Sequence, residues 1–170
     1  ARRFPLAFKD QLHANAVENK ISPAWAFAIT RRESSFMSDA YSGAGARGLM
    51  QLMPGTARYL EKSRVKTRKL YDPEFNVQLG TRYLRYLMDR MNNNPVLATA
   101  AYNAGWRRVK DWLPDQSGMP MDIWIETIPY KETRNYVKAV MAYKQIYSQQ
   151  LGQQKNLSLI HISEPTRRYR

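Results

Sequence analysis

The chain contains no cysteine and two histidines, His13 and His161, among its 170 residues. Disulfides and thiolate metal sites are thereby excluded. Neither histidine has neighbours at metal-ligand spacing, so no metal or other cofactor is expected. No apolar run approaches the length of a bilayer span, and mean hydropathy is negative, so no integral membrane segment is expected. Acidic residues are scarce: 14 Asp and Glu stand against 27 Lys and Arg, a formal charge of +13. Such an excess favours an anionic partner, whether nucleic acid, a membrane surface or an acidic polymer, and does not choose among them.

What is present is apolar and aromatic. Apolar residues make up 44% and aromatics 12% of the chain, enough for one domain with a real core. The pattern is helical. Phe4, Phe8, Leu12 and Ala16 are helically spaced. Ser22 and Pro23 form an N-cap and first-turn proline for a helix carrying Trp25 to Glu33. Asp72-Pro73-Glu74 opens a helix through Leu79, Tyr83 and Leu87. "NPVLATAAYNAG" reads as a short helix ended by Gly105, and the longest helix begins near Tyr130. The one place for strand is a minor element in the glycine-containing loop ahead of Gly48.

One domain is expected over residues 1–152, followed by a non-domain tail, 153–170. Residues 157–167, "LSLIHISEPTR", resemble an in-frame translation of a transposase sequencing adapter. Without residues 157–170, Lys and Arg fall to 24 and Asp and Glu to 13, leaving +11. The opening "ARRFPLAF", with neither initiator methionine nor secretion signal, reads as a fragment or mature portion.

Glu33 stands out. Trp25 and Ile29 lie eight and four places before it and Phe36 three places after, so it occupies a slot that the helical stripe reserves for an apolar side chain. Burial there disfavours the charged form and raises the pKa, which suits a general acid near neutral pH. The plainer alternative is a buried glutamate held by ordinary partners; Arg31 and Arg32 both point away from its direction. Gln51 lies among Met50, Leu52 and Met53 ahead of a Pro54-Gly55 break, a surface suited to sugar rings or simply a core. Tyr102 and Asn103 close a helix before Gly105, and read in isolation as a core aromatic and a cap.

In this order "ESSF", "GLMQLMPGTA", "AYNAG" and "IPYKETRNYV" resemble the successive motifs of the soluble lytic transglycosylase catalytic domain. The resemblance covers roughly residues 5–150. It implies a mainly α, goose-type lysozyme-like fold: short helices with at most a very small β element around the cleft. It places a helical superhelix before residue 1 and the protein in the periplasm, as a monomer acting on peptidoglycan glycan strands. Glu33 then matches the single catalytic acid, and Ser34 helps order its turn. Ser42, Gln51, Met53, Tyr102, Asn103, Glu132 and Tyr136 match substrate-binding positions. Trp106 and Arg107 depart from the Pro-Gly that relatives tend to carry, which touches a subsite rim and leaves the catalytic set complete.

The activity implied is cleavage of the bond between N-acetylmuramic acid and N-acetylglucosamine without water. One carboxylate suffices where the substrate's own acetamido group assists. A hydrolytic lysozyme of the same fold would need a positioned water and a second carboxylate, such as Asp39 or Glu132. A non-catalytic peptidoglycan-binding module would tolerate loss of Glu33. A nucleic-acid binder, suggested by the charge and "GWRRVK", has no recognisable motif behind it. Arg31, Arg32, Arg47, Arg107, Arg108 and Lys110 are candidates for a basic cleft rim.

Overall fold

A computed structural model describes residues 8–115 and 118–158, with the side chains of 153–158 excepted. Phe4, His161 and the adapter-like string beyond Ser158 lie outside the described residues. Eight α-helices are described: α1 Lys9–Glu18, α2 Pro23–Ser34, α3 Pro54–Glu61, α4 Pro73–Arg90, α5 Pro95–Ala104, α6 Trp106–Asp111, α7 Met121–Thr127 and α8 Lys131–Ser158. A short 3-10 helix, Thr67–Tyr71, precedes α4.

Local chemistry starts and stops the main helices. The Ser22 hydroxyl accepts from the Trp25 amide at 3.2 Å, with Pro23 at the first helical position. The Asp72 carboxylate accepts from the Glu74 amide, and the Asn94 side chain from the Val96 and Leu97 amides. Gly105 ends α5 at φ +93°, in the region that glycine enters without a Cβ penalty.

Helix α2 runs through the centre of the molecule. Every residue from Ala24 to Thr30 is buried, so the apolar surface goes round the helix and is wider than a single stripe. Helix α8 lies along it, with Tyr147 stacked on Phe27 at 5.4 Å between ring centroids. The Trp25 indole N–H donates to the Thr99 hydroxyl at 2.9 Å and ties α2 to α5. Burying Trp25, Phe27 and Ile29 stabilises the fold by about 1.5–3 kcal/mol each. Leu52, Ala57, Leu70 and Leu79 form a smaller core beneath α3 and the 3-10 helix.

The expected minor β element is present as two isolated antiparallel bridges, Tyr41 with Arg47 and Arg47 with Leu52. They fold the segment between α2 and α3 into a compact loop. Asn76 of α4 pins it from below: its side-chain oxygen accepts from the Met50 amide at 2.8 Å, and its nitrogen donates to the Arg47 and Leu70 carbonyls at 2.9 and 2.8 Å.

Three sequence expectations need correction. Phe36 is buried but lies beyond the helix. Ser35 and Phe36 turn the chain at φ +51° and +64°, so its closeness to Glu33 comes from the turn. The Met-Pro-Gly string read as a break opens α3, because Pro54 fits a first helical turn that needs no N–H from it. Helices α6 and α7 were not expected, being six and seven residues long, too short for a period to emerge.

Candidate active site

Glu33 is the penultimate residue of α2, where the helix leaves the core. Its carboxylate oxygen Oε2 accepts a 2.7 Å hydrogen bond from the Tyr136 hydroxyl of α8. Burial raises its pKa from 4.5 to about 7; the Tyr136 hydrogen bond and the Arg32 charge oppose that rise, and the charge of Glu132 adds to it. The last turn of a helix, where the dipole is negative, acts in the same upward direction. The carboxyl is therefore poised to give and take a proton near neutral pH.

Two phenols share this environment. Tyr136 is buried, and burial followed by the Glu33 charge holds its pKa well above 10, so it remains a donor. Tyr102 is raised well above 10 by burial first and the Glu33 charge second, and its hydroxyl donates to the Met50 carbonyl. Helix α5 thus meets the 35–53 loop through Tyr102, and meets α8 through Asn103, whose side-chain oxygen accepts from the Thr133 hydroxyl at 2.7 Å. Glu132 and Tyr136 sit one turn apart on α8, Glu132 exposed and Tyr136 buried.

The loop residues have structural work of their own. The Gln51 amide nitrogen donates to the Ala40 and Gly48 carbonyls at 3.0 and 2.9 Å, and Gln51 itself has φ +53°. Its side chain therefore holds the loop closed. The Ser42 hydroxyl accepts from the Ala46 amide at 2.9 Å, closing the turn that joins Tyr41 to Arg47. Met53 is exposed and stands at the N-cap position of α3, with no capping bond from its side chain. Ser34 donates to the Thr30 carbonyl at 3.1 Å and finishes α2.

The basic rim residues are dispersed. Arg32 lies over the Tyr136 ring at 5.9 Å, Arg31 over Tyr143 at 5.0 Å, and Arg108 over Tyr130 at 5.4 Å. Arg47 donates to the Gly45 carbonyl at 2.9 Å. Of these, Arg32 is the one whose charge acts on Glu33. Among the carboxylates, Asp39 is exposed and Glu126 pairs with Lys138 at 2.5 Å, while Glu132 is the one that bears on Glu33. Two functional partners escaped the sequence reading. Thr133 gives little signal beside Glu132, but Asn76 interrupts the stripe of Leu79, Tyr83 and Leu87 as Glu33 interrupts its own.

A half-buried acid held by the Tyr136 hydroxyl, on a mainly α domain with a small two-bridge loop, fits the lysozyme-like class. The family model "Transglycosylase SLT domain" matches residues 11–125, and "Soluble lytic transglycosylase helical domain" matches 127–156. The chain belongs to the transglycosylase SLT domain family. The second match falls largely on α8. The soluble lytic murein transglycosylase of Salmonella typhimurium is 42% identical over 98% of this chain. That of Escherichia coli K12 is 39% identical over the same share. The chain spans about a quarter, 26%, of both relatives.

Solved structures agree. An inactive glutamate-to-glutamine mutant of the Pseudomonas aeruginosa lytic transglycosylase Slt superposes with TM-score 0.83 at 48% identity, covering 88% of this chain and 25% of that one. The 70 kDa soluble lytic transglycosylase of Escherichia coli gives 0.84 at 40% identity, with the same coverage. The expected mainly α, lysozyme-like fold is the fold found.

Proposed function

We propose that this chain is a peptidoglycan lytic transglycosylase domain with Glu33 as its catalytic acid and base. The supporting observation is the Glu33 carboxyl, raised to about 7 and held by the Tyr136 hydroxyl. Protonated Glu33 gives its proton to the oxygen joining N-acetylmuramic acid to N-acetylglucosamine, and that bond breaks. The muramic acetamido oxygen bonds to C1, giving an oxazolinium-like intermediate. The Glu33 carboxylate then takes the proton of the muramic C6 hydroxyl, whose oxygen displaces the acetamido oxygen from C1. The product is a 1,6-anhydromuramic end; no water enters, and Glu33 is again protonated. Tyr136 orients the carboxyl, and Ser42, Gln51, Met53, Tyr102, Asn103 and Glu132 border the bound glycan. Gln51 and Ser42 act by shaping the loop that presents Met53 and the Met50 backbone. We place the activity in the periplasm, in cell-wall turnover, by a monomer.

The test is digestion of purified peptidoglycan followed by mass spectrometry. Muropeptides one water lighter than lysozyme products are expected. Reducing ends in their place would make the protein a hydrolase of the same fold, and retained glycan binding without products a binding module.

The pH profile follows from the same carboxyl. The first step needs Glu33 protonated, so kcat/KM should hold below about 7 and fall tenfold per unit above it. Tyr136→Phe removes a hydrogen bond that favours the carboxylate, and should move this descending limb up by about one unit. A limb that stays in place would show that Tyr136 does not tune the acid.

A further inference from the structure

A train of aromatic rings leads away from the site. Tyr83 of α4 meets Tyr102 at 5.5 Å, Tyr86 stacks on Tyr83 at 5.9 Å and 19°, and Tyr59 of α3 meets Tyr86 edge-on at 5.7 Å. Arg90 lies 4.1 Å over Tyr86 and 5.1 Å from the ring of Trp106. Tyr59 is 60% exposed. It lines a cavity of about 520 Å³ with Arg58, Leu60, Lys62 and Tyr86.

The charge on this face is uncompensated. Among the described residues the ion pairs are Glu61 with Arg82, Asp89 with Arg85 and Glu126 with Lys138, so Arg58, Lys62 and Arg90 have no carboxylate partner. Exposed rings offer flat apolar faces, and the guanidinium and ammonium groups around them suit carboxylates.

Resting on the peptidoglycan reading above, we propose that the Tyr59–Tyr86–Arg90 face is a secondary binding site for a carboxylate-bearing glycan strand. A sugar ring lies on Tyr59, which Tyr86 and Arg90 back, while Arg58, Lys62 and Arg90 hold the carboxylates of the attached stem peptides. The site raises affinity for long strands and leaves the reaction on short ones unaltered.

The test compares the full chain with a Tyr59→Ala, Arg90→Ala double variant. Dissociation constants are measured at low salt for peptide-bearing glycan strands, both proteins also carrying Glu33→Gln to prevent turnover. Turnover of a peptide-bearing tetrasaccharide is measured with Glu33 intact. The double variant should bind strands roughly tenfold more weakly, with the difference shrinking as salt is raised, and cleave the tetrasaccharide at the wild-type rate. Equal strand affinity, with cleavage intact, overturns the site and spares the peptidoglycan reading. No strand binding by the Glu33→Gln chain overturns both. Displacement of the strands by a single-stranded oligonucleotide, in the parent chain but not in the double variant, reassigns the face to nucleic acid.

Discussion

Glu33→Gln should lower the rate of anhydromuropeptide release from peptidoglycan by about 10²–10⁴-fold, measured by mass spectrometry of timed digests. Glutamine matches glutamate in size, and its amide oxygen can still accept from the Tyr136 hydroxyl that now bonds Oε2 at 2.7 Å. The site therefore keeps its shape. What goes is the proton: an amide cannot protonate the leaving oxygen, nor take the proton of the C6 hydroxyl afterwards. In the proposed mechanism both halves of the reaction fail together, because one group serves both. A variant retaining a tenth of wild-type activity would remove Glu33 from the chemistry and leave it a structural polar residue.

The same variant has a signature in stability. Glu33 has a folded pKa near 7 against an ordinary value of 4.5. Between these values the folded protein binds a proton that the unfolded chain has lost, so wild-type stability falls as pH rises from about 4.5 to 7 and levels off beyond. Glutamine carries no such penalty. Above pH 7 the variant should be more stable than wild type by up to about 3 kcal/mol, and the advantage should vanish near pH 4.5. Thermal melts at pH 5 and 8 separate this from ordinary damage. A variant less stable at pH 8 would mean that the carboxylate is well satisfied and its pKa is not raised.

Much of this was legible in the sequence, for identifiable reasons. Helices with a cap and a first-turn proline announced their own starts, as Ser22-Pro23 and Asp72-Pro73 did. Glu33 was visible because a carboxyl in an apolar slot breaks a period, and the structure gives burial as the leading cause of its raised pKa. Three things were hidden. A stripe count cannot show that α2 is buried all round, since that depends on α1 and α8 closing over it. It cannot foresee left-handed residues such as Ser35, Phe36 and Gln51, where tertiary contacts outweigh local preference. It also reads Gln51 by its neighbours' chemistry, while the fold spends both its amide hydrogens on the loop.

Gly48→Ala should destabilise the protein by about 3 kcal/mol or more, and lower Tm by roughly 6–12 °C for a domain of this size. Gly48 has φ +81°, a conformation L side chains rarely adopt. A Cβ there would stand 2.3 Å from the Leu70 carbonyl oxygen and 2.4 Å from the Asn76 side-chain nitrogen. Neither neighbour can yield cheaply. Leu70 belongs to the smaller core, and its carbonyl accepts from Asn76. Moving Asn76 would break its bonds to the Met50 amide and the Arg47 carbonyl as well, leaving buried polar groups unpaired. The damage then reaches the chemistry: the Met50 carbonyl is the acceptor for Tyr102, so a displaced Met50 releases the phenol facing Glu33. Activity should accordingly fall further than the loss of folded protein explains, when rates are compared at a temperature where both proteins are fully folded. Gly43→Ala supplies the control, because nothing lies within 4 Å of its Cβ position. It should change neither Tm nor rate. A Gly48→Ala protein that melts within 2 °C of wild type would show that the loop floor is slack, and that Asn76 does not set the height of Met50 beneath the acid.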